Sequence, residues 1–378
     1  MNVYVRELVS GLAGAGVVCR VYVRRWSDDL PDEVSVEPGF EVVHVPAGPI
    51  DLPKEDLADH VDEFAQWVAA DLESFEPDVI HANYWLSGVA GRILKQQMKL
   101  PLLTTFHTLA RVKAVAGDFE PESRARAEAA VMACADVVLA NAEAEAQQLV
   151  EFYDCDPERI EVVPPGVDHA LFSPGNQAGA RWAVRTDDRP LLLFVGRIQP
   201  LKGVDVAIET LARVERQDAR LWIVGGASGD DGSGEVARIH KLIADRGLEG
   251  RVEFKPPVPH HLLSTYYRAA DVCLVPSRSE SFGLVALEAA ACGTPTVASA
   301  VGGLLTLVEH GFTGYLVEGR NPDDFAERVS AILQDPVLAR RLSVSAAARA
   351  RNYTWSVSAA RLRRLYEDLS LRALAPCP

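Results

Sequence analysis

Short apolar runs alternate with helically spaced apolar positions along the whole chain. The runs Val17 to Val23, Glu41 to Val45, Val79 to His81, Leu102 to Phe106, Asp136 to Ala140 and Ile160 to Val163 predict strands in the first half. Leu191 to Val195, Leu221 to Val224, Val252 to Phe254, Val272 to Val275, Thr296 to Ala298 and Gly314 to Val317 predict strands in the second. Helical patterns lie between most of them. Such alternation predicts an α/β fold, with parallel sheets covered by helices on both faces. Between Pro164 and Asp188 the pattern breaks at Pro164-Pro165-Gly166, Pro174-Gly175 and Gly179. That segment reads as an interdomain connection. The expected division is a first domain at 1–165, a linker at 166–188, a second domain at 189–352 and a last segment at 353–378. Gly226 to Gly234 reads as a flexible loop after a strand; its glycine spacing does not fit a dinucleotide fingerprint.

Length agrees with this division, since 378 residues are too many for one ordinary core. Apolar residues at 48% are enough for two cores. A net charge of −15 argues against nucleic acid and against docking on anionic membranes. No run of apolar residues is long enough to span a bilayer, and Met1 to Arg6 shows no signal-peptide core. The six cysteines are scattered without a Cys-x-x-Cys pair. Cys134, Cys273 and Cys292 stand in apolar context and read as buried free thiols, which fits a reducing cytoplasm. The nine histidines show no metal-ligand spacing, and His260-His261 reads as loop surface.

The densest chemistry lies in Ser279 to Glu288. The buried strand Val272 to Val275 runs through Pro276 into a loop carrying Glu280, and a helix is predicted from Leu284 to Ala291, with Ser281 as a candidate N-cap. A helix start after a strand in such a sheet offers free N–H groups and a positive dipole end to phosphate. The N–H groups of Gly283 and Leu284 are the candidates. Glu288, on that helix, could accept hydrogen bonds from two vicinal ribose hydroxyls. Its neighbours Leu287, Ala289, Ala290 and Ala291 indicate a largely buried helix. Glu280 alone reads equally well as a solvated loop carboxylate.

A second strand end supports the first. Leu191 to Val195 runs into Gly196-Arg197, and Lys202-Gly203 opens the next helix. With only seven lysines against 31 arginines, Lys202 is not compositional filler. Arg197 and Lys202 flank one tight turn, and two fixed cations there suit a diphosphate. Either residue alone could equally be a surface cation.

Phe194-Val195-Gly196-Arg197 with Lys202-Gly203, the Glu280-Ser-Phe-Gly-Leu-Val-Ala-Leu-Glu288 segment, Gly293-Thr-Pro-Thr-Val297 and Gly302-Gly303 together resemble the retaining GT-B glycosyltransferases of the sucrose-synthase/mannosyltransferase family. Within it, Asn2-Val-Tyr-Val5, His81-Ala-Asn-Tyr84-Trp85-Leu-Ser-Gly88, Phe106-His-Thr-Leu109 and Asp156 to Asp168 are similar to the D-inositol-3-phosphate and sucrose-phosphate-synthase-like branch. The resemblance covers nearly the whole chain. It implies two Rossmann-like domains with parallel sheets facing a central cleft, and a last helix near Trp355 that returns to the first domain.

It also implies a chemistry: transfer of a sugar from a nucleotide-sugar donor, UDP-linked, with retention and without metal or cofactor. Arg197 and Lys202 would neutralise the leaving diphosphate, where preorganised charge lowers the barrier. Glu280 and His107 would face the donor sugar, Val258 would meet the base through its backbone, and Asn2 would contribute to donor binding. Lys54, Tyr84, Thr108 and Arg126 would grip an acceptor phosphate, inositol phosphate being the type. On the residues alone, Lys54 is a lone cation in an acidic stretch and reads as solvated, and Arg124 fits the arginine position as loosely as Arg126. No carboxylate suits a double displacement, so front-face attack is the expected route. The implied partners are the donor and a phosphorylated small-molecule acceptor, with no nucleic acid and no membrane anchor; a homodimer is a compatible assembly.

Family members begin with a strand and a Gly-Gly loop ahead of the Asn-Val-Tyr-Val helix, whereas this sequence begins at Met1 inside that region. The expectation is a start assigned too late, with DNA upstream encoding the strand and the glycine pair. Two other functions compete. A mannosyltransferase on a phosphoinositide lipid would need a basic amphipathic face, and the acidic helix Asp56 to Phe75 counts against it. A non-catalytic nucleotide-sugar binder would not need Arg197, Lys202, Glu280 and Glu288 together.

Overall fold

The computed structural model describes residues 2–227 and 232–377, in two compact units. One comprises Met1–Gly166 with Trp355–Pro378; the other comprises Val167–Thr354.

The first unit carries strands β1 (Cys19–Arg24), β2 (Glu33–Glu37), β3 (Phe40–Val45), β4 (Ile80–Asn83), β5 (Leu102–Thr105), β6 (Val137–Ala140) and β7 (Ile160–Val162). They form two sheets, a three-stranded one in the order β1-β3-β2 and a four-stranded one in the order β4-β5-β6-β7. All pairings are parallel except β2 with β3, which is antiparallel and irregular between Ser35 and Glu37. β2 was not expected from the pattern. Its Glu-Val-Ser-Val-Glu is an edge strand with almost every side chain in solvent, so it offers only a weak apolar run. The helix Trp355–Ser370 belongs to this unit and packs on the helix Asn2–Gly14. Gly11 permits that contact: a Cβ there would lie 3.1 Å from the Trp355 carbonyl oxygen. The Tyr366 hydroxyl lies 2.7 Å from His81 Nδ1 and ties the same helix to β4.

The second unit is one parallel sheet of β8 (Leu191–Val195), β9 (Arg220–Val224), β10 (Val252–Lys255), β11 (Val272–Val275), β12 (Thr296–Ser299) and β13 (Gly314–Val317). Its central strands are apolar runs buried on both faces, as parallel strands under two helical layers must be. The order is β10-β9-β8-β11-β12-β13. Chain order therefore runs outward in opposite directions from β8 and β11. Ligands bind at such a reversal, beyond the carboxyl ends of the two strands.

Three expectations need correction. The segment read as a linker holds the helix Gln177–Ala183, capped by Asn176, whose Oδ1 accepts from Gly179 N–H at 2.9 Å. Arg181 from that helix donates to Asp271 Oδ2 at 2.7 Å, so Val167 to Asp188 is part of the second unit. Proline and glycine marked its turns correctly, but a short capped helix carries too little periodicity to register. Cys134, expected as a free thiol, forms a disulfide with Cys377, their Cα atoms 4.1 Å apart. A partner 243 residues away leaves no local spacing to read. Cys273 and Cys292 are buried and free. Of the loop expected at Gly226 to Gly234, residues 228–231 lie outside the described residues, and Gly232 opens a helix to Asp245. Among the described residues no helix is long and apolar enough to cross a membrane.

Candidate active site

In the second unit, β8 and β11 end side by side, and glycines let their loops meet backbone to backbone. A Cβ on Gly225 would lie 1.9 Å from the Gly196 carbonyl oxygen, so the chain leaves β8 and β9 where only hydrogen fits. Lys202 ends a single 3-10 turn, Pro200–Lys202, and Gly203 follows at φ +74°. A Cβ there would lie 2.2 Å from the Pro276 carbonyl oxygen. Arg278 N–H donates to the Leu201 carbonyl at 2.8 Å and closes the two loops together. The result is an ion pair between Lys202 Nζ and Glu280 Oε2 at 2.6 Å, both side chains largely buried. Ser277 Oγ donates to the same oxygen at 3.2 Å. Arg197 is exposed on the β8 loop.

The Glu280 loop is braced from behind. Gly303 N–H donates to the Glu280 carbonyl at 2.9 Å. A Cβ on Gly302 would sit 1.9 Å from that carbonyl, and one on Gly303 would sit 2.3 Å from Phe282 Cα. The Gly-Gly pair is thus required by contact. The helix Leu284–Ala291 begins as expected, but its N-cap is Gly283, at φ +103°, rather than Ser281. The left-handed cap turns the chain sharply into the helix, a conformation a serine would resist. No side chain caps this end, so the first-turn N–H groups, Gly283 and Leu284 foremost, are the ones a helix leaves for a ligand.

Glu288 is buried on that helix, at 6% exposure. Each carboxylate oxygen already has a partner: Tyr267 hydroxyl donates to Oε2 at 2.8 Å, and His260 Nε2 lies 2.7 Å from Oε1. Burial, with Glu288 nearby, pushes the Tyr267 pKa far up, so the phenol stays a donor. Phe172 backs both rings, with centroids 4.9 Å from His260 and 6.1 Å from Tyr267. His260 therefore does not belong to loop surface as the sequence suggested. It opens the helix His260–Ala269, half-buried against the carboxylate. Val258 is half-buried in the loop before it.

In the first unit, two strained residues mark the ends of β4 and β5. Tyr84 has φ +81° and His107 has φ +63°. Such conformations cost about 1–3 kcal/mol each and persist where surrounding structure demands them. Tyr84 N–H donates to the Thr105 carbonyl at 2.7 Å. His107 Nε2 lies 2.9 Å from Asn83 Oδ1, and its ring meets Tyr4 edge-on at 4.6 Å. Burial drives its pKa down to about 3, so it presents a neutral imidazole. Thr108 is exposed and receives Arg124 Nη2 on its hydroxyl at 3.0 Å and on its carbonyl at 3.1 Å. The Arg124 guanidinium also lies 5.3 Å from the Tyr84 ring centroid.

Arg124, not Arg126, is thus the arginine that joins Tyr84 and Thr108. Arg126 is exposed two residues further along the same helix, Glu122–Cys134, and residues two apart do not share a helix face. Arg124 is aimed by Glu128, one turn on and fully buried. Glu128 Oε1 accepts from Arg124 Nε at 2.8 Å, and its Oε2 accepts from Ala110 N–H at 3.0 Å and from Tyr153 hydroxyl. Lys54 is exposed at the head of the 3-10 segment Lys54–His60 and has no hydrogen bond or ion pair to this cluster. Asn2 is exposed at the start of the first helix. Among the described residues no group of three or more His, Cys, Asp or Glu side chains could hold a metal ion.

Comparison with known proteins gives these sites a context. Residues 1–166 match the glycosyl transferase 4-like domain, and residues 180–351 match the glycosyl transferases group 1 model. The chain is 47% identical to a D-inositol 3-phosphate glycosyltransferase of Geodermatophilus obscurus, over 92% of this chain and 80% of that protein. It is 44% identical to the corresponding protein of Acidothermus cellulolyticus, over 97% and 85%. The chain belongs to the group 1 glycosyltransferases. Among solved structures it superposes on the sucrose-phosphate synthase of Thermosynechococcus elongatus with a TM-score of 0.91 and 34% identity, covering 97% of this chain and 93% of that one.

The protein is accordingly a glycosyltransferase with the two-domain α/β architecture of the GT-B type. Both loops of its second unit were legible in the sequence; the residues that hold them were not. Tyr267 had only one visible signal, a tyrosine one turn from Ser264 on the buried side of an amphipathic helix. Glu128 had the Arg124 spacing of four, which is an ordinary helical ion pair until its burial is known.

Proposed function

We propose that this glycosyltransferase moves a sugar from a UDP-linked donor to inositol phosphate, with retention of configuration and without metal or cofactor. The carrying observation is the Arg124–Thr108–Tyr84 cluster, in a chain whose relatives named D-inositol 3-phosphate glycosyltransferase are 44% and 47% identical to it. A guanidinium and a hydroxyl side by side suit a phosphate monoester. Lys54 is the further cation we assign to the acceptor phosphate.

On the donor side, Arg197, Lys202 and the Gly283 and Leu284 N–H groups receive the diphosphate, Glu288 receives the ribose, and the Val258 backbone meets the base. Glu280 contacts the sugar; His107 and Asn2 are the first unit's own candidates for donor binding. The C1–oxygen bond to the diphosphate breaks while the acceptor hydroxyl bonds C1 on the same face. The hydroxyl proton passes to the departing diphosphate oxygen. Glu280 is held by Lys202 and Ser277 through one oxygen, an arrangement suited to orienting a sugar rather than attacking it.

The test is product analysis by mass spectrometry over UDP-, GDP- and ADP-sugars against inositol 3-phosphate, free inositol and glucose 6-phosphate, with NMR of the new linkage. An α-linked inositol phosphate product from an α-linked UDP donor, unaffected by EDTA, is expected. A β-linked product would overturn retention, and transfer to other acceptors alone would overturn the acceptor assignment.

A further inference from the structure

The Arg124 guanidinium divides its three nitrogens among three partners of different permanence. Nε is held by Glu128, which is fully buried. Nη2 rests on Thr108. Nη1 pairs with Glu120 Oε1 at 2.8 Å, and the same oxygen accepts from Lys113 Nζ. Lys113 stands in the last turn of the short helix Ala110–Val115 and also lies 3.0 Å from Asp118 Oδ2. One carboxylate oxygen thus bridges two cations from two helices, on the guanidinium that touches the Thr108 hydroxyl.

An ordinary surface ion pair does not look like this. The Lys113, Glu120 and Arg124 side chains are only 16%, 18% and 4% exposed. Two cations on a single oxyanion, one of them also holding a hydroxyl, form the seat of a phosphate monoester, which has more charge and more oxygens than a carboxylate. We propose that Lys113 joins Arg124 as a cation for the acceptor phosphate, additional to Lys54, and that Glu120 occupies the phosphate position until the acceptor displaces it. The proposal rests on the acceptor reading given above.

Charge requires the displacement. Lys113 and Arg124 already face three carboxylates, Glu120, Asp118 and Glu128. A phosphate added beside all three would meet net repulsion, whereas exchange for Glu120 returns both cations to an anion of higher charge. The chain is built to let Glu120 go. Gly117, at φ +82°, separates it from the Lys113 helix, and Val115 and Phe119 are 75% and 83% exposed. Neither apolar side chain anchors the segment in the core, so the exchange sacrifices no buried apolar contact of theirs.

The experiment measures KM and kcat for D-inositol 3-phosphate and for free inositol in wild type, Lys113→Met, Lys113→Arg and Glu120→Gln, with inorganic phosphate as a competing probe. Lys113→Met should raise KM for the phosphorylated acceptor by at least about tenfold, the lower end for one charge-assisted hydrogen bond, with a much smaller change for free inositol. Lys113→Arg should recover most of the loss. Glu120→Gln should move the other way, lowering that KM and the inhibition constant of inorganic phosphate severalfold. A wild type that uses both acceptors equally would overturn the acceptor reading and this proposal with it. A wild type that prefers the phosphorylated acceptor, with variants that leave KM unmoved or shift both acceptors alike, would overturn this proposal alone and leave Lys113 as an anchor of its loop. If Lys113→Met does not fold, Glu120→Gln still decides: a fall in both constants supports the exchange, and unchanged constants overturn it.

Discussion

Lys202 Nζ lies 2.6 Å from Glu280 Oε2, although 78 residues separate them in the chain. The contact joins the loop after β8 to the loop after β11, at the point where strand order reverses in the sheet. Lysine and glutamate are therefore positioned by sheet topology, and the two loops are held by backbone contacts at Gly203, Leu201 and Gly303. In the leaving-group role proposed for Lys202, a cation held this way needs no reorganisation as charge develops.

Lys202→Ala should accordingly lower kcat on the order of 10²-fold, as loss of one preorganised electrostatic partner does, with a smaller change in donor KM. Steady-state kinetics at saturating acceptor reads both. A folded variant with unchanged kcat removes Lys202 from the leaving-group role.

Glu288 answers to a different parameter. Ribose contacts are similar in ground and transition states, so Glu288→Gln should raise donor KM with little change in kcat. Tyr267→Phe leaves Glu288 Oε2 without its donor in a buried site, at a cost of about 1–3 kcal/mol in stability. It should lower the melting temperature and raise donor KM together. Calorimetry and donor titration on the two variants would show it; a Tyr267→Phe protein with wild-type stability contradicts the bond's importance.

The contrast between these two carboxylates explains what was legible in the sequence. β8, β11 and β13 match their expected bounds residue for residue; for β8 and β11 this is because buried parallel strands are continuous apolar runs, closed here by Gly196 and Pro276. The helix Leu284–Ala291 was legible for the same reason, and the spacing of Glu280 and Glu288 followed from it. Tyr267, His260 and Glu128 were not legible, since each acts through a contact between elements distant in sequence, and adjacent histidines carry no sign of which one faces inward. The exchange of Arg126 for Arg124 shows the limit at its smallest: two residues decide the helix face, and the irregular segment before the helix leaves the register open. The Cys134–Cys377 bond was invisible for want of any local pattern.

Glu145 gives a prediction for pH. It is buried, and desolvation raises its pKa from 4.5 to about 7 against the bonds it accepts from Asn141 N–H and Nδ2. The folded state thus holds this proton more tightly than the unfolded chain. Its contribution to stability is fully present below about pH 4.5 and is lost as pH rises through about 7. The whole span corresponds to on the order of 3 kcal/mol. Glu145→Gln, which keeps the acceptor oxygen without the ionisation, should be more stable than wild type at pH 8 and nearly equal to it at pH 4.5. Urea unfolding across that range checks the difference between the two proteins, so other titrating groups cancel. A constant difference at all pH values would sink the assignment.

The acceptor cluster yields the most discriminating measurement. A charge-assisted contact contributes about 1.5–3 kcal/mol, so Arg124 with Lys54 or Thr108 should favour phosphorylated over free inositol by at least about a hundredfold in kcat/KM. Arg124→Lys should collapse that preference despite conserving charge. A single ammonium lacks the planar fork that now serves Glu128, Glu120 and Thr108 at once. Partial loss of the Glu128 contact should also lower the melting temperature, so both quantities are to be measured on the same preparation. Lys54→Ala, at an exposed position, should reduce the preference with no change in melting temperature. If Arg124→Lys loses stability but keeps the wild-type acceptor preference, Arg124 is a structural ion pair, and the acceptor phosphate is bound by other groups.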